Sequence, residues 1–265
     1  MPIATCNKIS LHYQLEGDPR APVLMLCNSL GTTLEMWQPQ MSILLTQFQV
    51  LRYDVRGHGQ SDLPMGPYSI EQLGQDAVAL LDHLQLKQVD FCGLSMGGMT
   101  GMWLATHHPH RIKHLVLSNT AAKLGTPELW NSRLSVLASE GMAGLTDAIL
   151  ERWLTRRFQQ RAPHVVERVR AMLLATSAPG YQANVMAIRD MDQLHDISTI
   201  DLPTLVIAGR HDGSTPPELA REITQRIAAS RYVELDAAHL SNWEQAGAFT
   251  ATLMDFLTDT APYKT

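Results

Sequence analysis

No stretch of this chain approaches the roughly 20 consecutive apolar residues that a membrane-spanning helix needs, so neither a helical membrane protein nor a membrane partner is expected. Cysteine is scarce: Cys6, Cys27 and Cys92 are three thiols among 265 residues. That count excludes a disulfide framework, and the spacing matches no metal site, so each reads as a small hydrophobe within a strand. Positive charge is also in short supply. Lysine and arginine number 21 against 26 aspartates and glutamates, giving a net charge of -5 and a pI near 6.1. Without a basic stripe to neutralise phosphates, nucleic acid is not an expected partner. An anionic small substrate would need its own local cation. Internal repeats and low-complexity segments are missing too. Met1-Pro2-Ile3 has neither the basic start nor the apolar stretch of an export signal, and the expected compartment is the cytoplasm.

What is present is apolar bulk. Hydrophobic residues make up 45% and charged residues 18%, the balance of a globular protein with one large core, or a core plus an inserted small domain. Ile3 to Cys6 and Ile9 to Leu15 alternate apolar and polar residues across Asn7-Lys8, the pattern of an edge hairpin. Val23 to Cys27 is apolar on both faces, as in a central parallel strand covered by helices on each side. Val50 to Tyr53, Val89 to Cys92, Leu115 to Leu117, Thr204 to Ala208 and Arg231 to Leu235 read as further strands. Helices are expected between Glu35 and Gln47, from Ile70 to Leu86, from Met99 to His107, after Pro216-Pro217, and up to about Leu257. From Lys123 to about His195 the character changes, with amphipathic helices at Leu129 to Leu137, Leu145 to Phe158 and Val165 to Leu174 and no strand between them. The expected layout is an α/β fold: a mostly parallel central sheet with helices on both faces and an inserted helical cap. Residues 1–121 and 196–265 would form the core, and residues 122–195 the cap.

Three residues carry chemistry. In Phe91-Cys92-Gly93-Leu94-Ser95-Met96-Gly97-Gly98 a strand ends in a glycine-flanked serine and runs into a helix, a nucleophile elbow of G-x-S-x-G type. Gly93 and Gly97 stand where a side chain would collide with neighbouring backbone, and the strained turn points Ser95 Oγ outward. Asp212 and His239 each lie just past another strand end. The ends of parallel strands share one edge of a sheet, so the three converge, and the chain order serine, acid, histidine is that of the α/β-hydrolases. In that constellation His239 takes the proton of Ser95, while Asp212 fixes the imidazole tautomer. His211 and Asp236 are the competing base and acid, one step from the better positions. The loop Asn28-Ser29-Leu30-Gly31-Thr32-Thr33 follows a central strand, which makes the backbone N–H groups of Leu30 and Met96 the candidate oxyanion donors. Arg56 and His58, in the glycine-rich loop from Asp54 to Asp62, read as structural groups that satisfy buried backbone.

These segments resemble the α/β-hydrolase superfamily over essentially the whole chain. Within it, Asn28-Ser29-Leu30-Gly31-Thr32, Gly93-Leu94-Ser95-Met96-Gly97-Gly98, Trp130-Asn131-Ser132-Arg133 and Ala237-Ala238-His239-Leu240-Ser241-Asn242 look like the 3-oxoadipate enol-lactonases. The first oxyanion loop lacks the His-Gly usual in the wider superfamily, in agreement with the lactonase group. The resemblance implies hydrolysis of 3-oxoadipate enol-lactone to 3-oxoadipate in bacterial breakdown of aromatic compounds, by a serine nucleophile through an acyl-enzyme. No metal or organic cofactor is implied by that mechanism. The partner is then a small anionic lactone, whose carboxylate calls for a cation from the cap. Arg133 is the first candidate, with Trp130 as a wall or N–H donor, since three residues apart on a helix they share a face. The alternatives are another ester, lactone or ring-cleavage-product hydrolase, or a non-catalytic ligand-binding protein on the same fold. Oligomeric state is left open.

Overall fold

The computed structural model describes residues 2–259; Met1 and residues 260–265, counted with the core segments above, lie outside the described residues. At the sheet edge, β1 (Ile3–Cys6) and β2 (Ile9–Glu16) pair antiparallel. Asn7 and Lys8 between them both take positive φ, 47° and 64°, the twist that lets a two-residue turn join such strands. Next come β3 (Val23–Cys27), β4 (Gln49–Tyr53), β5 (Val89–Leu94), β6 (Ile112–Ser118), β7 (Thr204–Gly209) and β8 (Ser230–Leu235). The eight strands form one sheet in the order β1-β2-β4-β3-β5-β6-β7-β8, parallel from β4 to β8. β5 and β7 are buried along their whole length, as continuous apolar runs require.

The strand order reverses at β3, which has β4 on one side and β5 on the other. Open sheets bind ligands at the carboxyl ends of strands beside such a reversal. Helices α1 (Gln38–Leu44), α2 (Ile70–His83) and α3 (Met96–His107) belong to this half of the sheet. Ser69 starts α2 with a capping box: its Oγ accepts from Gln72 N–H, and its own N–H donates to Gln72 Oε1, both at 3.1 Å. The helix stops short of the expected Leu86, because Gln85 turns into the left-handed region at φ 57°. Cys27 and Cys92 are buried, whereas Cys6 is only partly so, lying on the edge strand; all three are free thiols.

Between β6 and β7 the chain inserts α4 (Pro127–Trp153), α5 (Arg156–Arg161), α6 (Pro163–Ala175) and α7 (Ala178–Arg189). Two expected helices, Leu129 to Leu137 and much of Leu145 to Phe158, both lie within α4, on either side of Gly141, whose backbone is non-helical at φ 66° and ψ -162°. That element ends before Phe158, since Leu154 is extended and Thr155 caps a new helix by accepting from Phe158 N–H. α7 was not expected as a helix of its own. Its first turn holds Pro179 and Gly180, weak helix formers, and Gly180 is there because its backbone rests on Gly57, whose oxygen would lie 2.1 Å from an added Cβ. The chain closes with α8 (Pro217–Arg226), α9 (Ser241–Glu244) and α10 (Ala246–Thr258). No helix among the described residues is long and apolar enough to cross a membrane.

Candidate active site

Ser95 sits between β5 and α3 at φ 58° and ψ -117°, a conformation that L-residues avoid and that surrounding structure must impose. Two hydrogen bonds hold it there: Ser95 N–H donates to Ser118 O at 2.9 Å, and Thr120 Oγ1 donates to Ser95 O at 2.7 Å. The flanking glycines are sterically required. A Cβ on Gly93 would lie 2.1 Å from Gly97 O, and one on Gly97 would lie 2.1 Å from Cys27 O. The turn therefore packs helix against strand with no room between, and α3 begins directly at Met96 with its positive end beside the serine.

Asp212 and His239 lie past the ends of β7 and β8, and His239 Nδ1 donates to Asp212 Oδ2 at 2.8 Å with both side chains buried. Asp212 Oδ2 also accepts from Thr215 Oγ1 (2.7 Å) and from Asn119 Nδ2 (3.0 Å), while Oδ1 accepts from the N–H groups of Ser214 (2.8 Å) and Thr215 (2.9 Å). Burial pushes the Asp212 pKa up, but the nearby His239 and these donors outweigh it, and the carboxyl is held below its ordinary value. An ionised acid is thus fixed on the imidazole. His211 and Asp236 instead pair with each other at 2.8 Å on the exposed side.

The cap grips the loop that carries His239. Trp153 lies against its ring, 5.6 Å between centroids, and Leu240 N–H donates to Trp153 O at 3.0 Å. The carboxylate of Glu244 accepts from Ala238 N–H at 3.1 Å, from Thr155 N–H at 3.2 Å and from the Thr155 hydroxyl.

Beyond β3, the N–H groups of Leu30 and Met96 are paired with no acceptor among the described residues. The loop itself is fixed at Gly31, whose N–H donates to His58 Nε2 at 2.8 Å and whose C=O accepts from Thr176 Oγ1 at 3.1 Å. Arg56, from the same glycine-rich segment as His58, makes a two-pronged bond to Asp76, with both contacts at 2.6 Å. Both residues are structural, as their sequence context suggests.

An Nε2 that accepts a hydrogen bond belongs to a neutral imidazole, and burial pushes the His58 pKa down to about 4 despite opposing effects of Arg56 O and Asp54. Unfolding returns the ring to water and a pKa near 6.5, so between these values the unfolded chain binds a proton that the folded chain refuses. The contribution to stability is full above about pH 6.5 and falls as the pH drops toward 4, by about 3 kcal/mol in total. Urea unfolding of wild type and His58→Gln over that range checks this. The variant should lose markedly less stability on acidification, and parallel curves would contradict the assignment.

Ser95, His239 and Leu30 share a pocket of about 630 Å³ with the inner face of the cap. Trp130 and Arg133 both reach it, as their shared helix face suggests, and the Arg133 guanidinium lies between the rings of Trp130 and Tyr181 at 5.5 and 5.4 Å. The Trp130 N–H donates to Leu124 O at 2.7 Å, so the ring supplies a wall and its donor is already used. Arg152, which sequence reasoning passed over, lines the same pocket. Partial desolvation, and then the charge of Arg133, lowers its pKa. Neither guanidinium has a carboxylate within ion-pair distance among the described residues. No group of His, Cys, Asp and Glu there could hold a metal ion. The arrangement therefore sets a serine hydroxyl, a carboxylate-held histidine, the Leu30 N–H and two guanidiniums around one cavity, with the Met96 N–H next to the serine in the chain. Those are the parts needed for acyl transfer from an anionic ester or lactone.

Comparison with known proteins narrows this further. Residues 22–140 match the family described as alpha/beta hydrolase fold. The chain is 40% identical over 245 residues to 3-oxoadipate enol-lactonase 2 of Acinetobacter baylyi, covering 92% of each chain. It is 35% identical over 248 residues to enol-lactonase 1 of the same organism, covering 94% of this chain and 93% of that one. The crystal structure of the enol-lactonase from Burkholderia xenovorans LB400 superposes with a TM-score of 0.96 at 48% identity, covering 97% of this chain and 100% of that chain. With the sheet order, the elbow and this similarity in agreement, the chain belongs to the 3-oxoadipate enol-lactonase family of the α/β-hydrolases.

Proposed function

We propose that this protein hydrolyses 3-oxoadipate enol-lactone to 3-oxoadipate in the breakdown of aromatic compounds, with Ser95, His239 and Asp212 as its triad. The observation that carries the reading is the pair of arginines, Arg133 and Arg152, lining the pocket of Ser95 with no carboxylate in ion-pair contact among the described residues, in a chain of net charge -5. A neutral ester would leave both cations idle. An anionic lactone pairs with them.

Ser95 Oγ attacks the ring carbonyl carbon as His239 Nε2 accepts its proton, and the carbonyl oxygen becomes an oxyanion held by Leu30 and Met96 N–H, each worth about 3 kcal/mol. Collapse of the tetrahedral adduct breaks the ring C–O bond. The departing oxygen takes the proton back from His239, or leaves as an enolate whose carbon takes that proton on becoming the ketone; either way it stays tethered through the acyl chain and His239 is neutral again. Ring closure then competes with deacylation until the enol becomes a ketone. His239 next takes a proton from water, whose oxygen attacks the acyl carbon, and gives that proton to Ser95 Oγ as the Oγ–acyl bond breaks, releasing 3-oxoadipate and free Ser95. Arg133 holds the side carboxylate against the Trp130 wall. The inserted helices, residues 122–195, form the cap over a core whose described part is residues 2–121 and 196–259. Three unpaired thiols suit a reducing cytoplasm.

Arg133→Gln tests the substrate reading. KM for the anionic lactone should rise between about ten- and a hundredfold, the worth of a charge-assisted hydrogen bond, while KM for a neutral aryl ester stays as it was. Equal changes for both substrates would contradict a carboxylate at Arg133.

A further inference from the structure

Ser29 is fully buried, and its hydroxyl oxygen has no hydrogen-bond partner among the described residues. The main chain of the same residue is fully used. Its N–H donates to Met36 Sδ at 3.2 Å, and its C=O accepts from Thr32 N–H at 3.2 Å and from Thr32 Oγ1 at 2.8 Å. Ser29 is thus fixed from both sides, and only the hydroxyl is left over. A buried hydroxyl with nothing to bond is costly, and alanine would occupy the same place without that cost. The group calls for a use outside the folding of the loop.

Its position supplies one. Ser29 lines the pocket that holds Ser95 and His239, and it directly precedes Leu30. The Oγ of one residue and the N–H of the next flank a single peptide plane, so rotation about the Cα–Cβ bond carries the hydroxyl toward the acceptor that the Leu30 N–H serves. Other buried hydroxyls beside the triad are already spent: Thr215 Oγ1 donates to Asp212, Thr120 Oγ1 to Ser95 O and Ser241 Oγ to Asn119 Oδ1.

We infer that Ser29 is a third oxyanion donor, its Oγ–H joining the Leu30 and Met96 N–H groups on the lactone carbonyl oxygen as that oxygen takes up negative charge. This rests on the reading of Leu30 as an oxyanion donor given above. No bond or proton changes hands at Ser29. Its hydrogen bond strengthens as C=O becomes C–O⁻ and weakens again when the carbonyl re-forms. A donor held without a partner in the free protein gains its bond only with the reacting oxygen in place. Because the bond is stronger to C–O⁻ than to the carbonyl of the bound lactone, it favours the transition state over the bound substrate.

Ser29→Ala tests this, with kinetics and unfolding measured on the same protein. The expected result is a fall in kcat of about a hundredfold on both the enol-lactone and a neutral aryl ester, with KM little changed. The unfolding midpoint should stay the same or rise, because an unsatisfied hydroxyl has gone. The Ki of an alkyl boronic acid, which forms a tetrahedral adduct on Ser95, should rise by the factor by which kcat/KM falls. Ser29→Cys, a weaker donor of similar size, should fall in between, and it keeps the test open should the alanine variant fold poorly. Unchanged kcat in Ser29→Ala, with Ser95→Ala inactive, overturns this inference alone. A loss of kcat that accompanies a lowered midpoint, with boronate Ki unchanged, overturns it in favour of packing. Full turnover by Ser95→Ala overturns the hydrolase reading beneath it.

Discussion

Ser95→Ala should lower kcat on the enol-lactone by between about ten thousandfold and a millionfold, the scale on which removal of a triad nucleophile acts. The size of the loss follows from the absence of a substitute. The two buried thiols near the site cannot stand in, because burial pushes Cys27 up to about 11 and Cys92 up as well, and neither is a thiolate near neutral pH. Thr215, the neighbouring hydroxyl on the pocket wall, is bonded to Asp212. What remains is binding and the oxyanion donors, which still accelerate attack by water, so the residual rate should exceed the uncatalysed one. Stability should hardly change, since the strained turn at Ser95 is imposed by Ser118, Thr120 and the two flanking glycines rather than by its hydroxyl. Single-turnover and steady-state assays on folded variant check both parts, and a loss smaller than tenfold would contradict the role of Ser95.

The second large effect is expected at Asp212. Replacing it with Asn keeps the shape and removes the charge, and kcat should fall by about ten thousandfold. The direction of the amide explains why. Two backbone N–H groups point at Oδ1, so the amide oxygen of Asn settles there and its NH₂ faces the place of Oδ2. At that place three further donors converge, from His239, Thr215 and Asn119. Donor against donor forces His239 to present a bare Nδ1 and to carry its proton on Nε2, the tautomer that cannot take a proton from Ser95. The measurement is kcat for Asp212→Asn beside its circular dichroism spectrum. A folded variant with more than a tenth of wild-type turnover would remove Asp212 from the mechanism.

Much of this was legible before any coordinates. Buried parallel strands announce themselves as runs apolar on both faces, and the elbow is local, since its glycines, serine and following helix lie within a few residues. Asp212 and His239 could be placed because strand ends in a parallel sheet share an edge. What could not be read depends on contacts far apart in the chain. Asn119 marks the end of a strand in the sequence, but its bond to Asp212 spans 93 residues. Arg152 lies on the far side of the Gly141 kink from Arg133, so no helical spacing relates the two. The appearance of α7 reflects packing of the inserted helices on the core. Gly180 is tolerated in a helix because it lets that helix lie against Gly57, a gain invisible to propensity. In the sequence Ser29 is one residue of a loop, and only the structure leaves its hydroxyl without a partner among the described residues.

Hydrolysis by this mechanism passes through a covalent intermediate at Ser95, and rapid-quench mass spectrometry of the enzyme during turnover tests it directly. Because the leaving oxygen stays tethered, ring opening by Ser95 adds every atom of the lactone. The predicted result is a transient mass gain equal to the whole substrate, on the peptide that contains Ser95 and absent from Ser95→Ala. Rapid turnover of the lactone with no adduct on Ser95 at any quench time, and incorporation of labelled water in the first step, would contradict it.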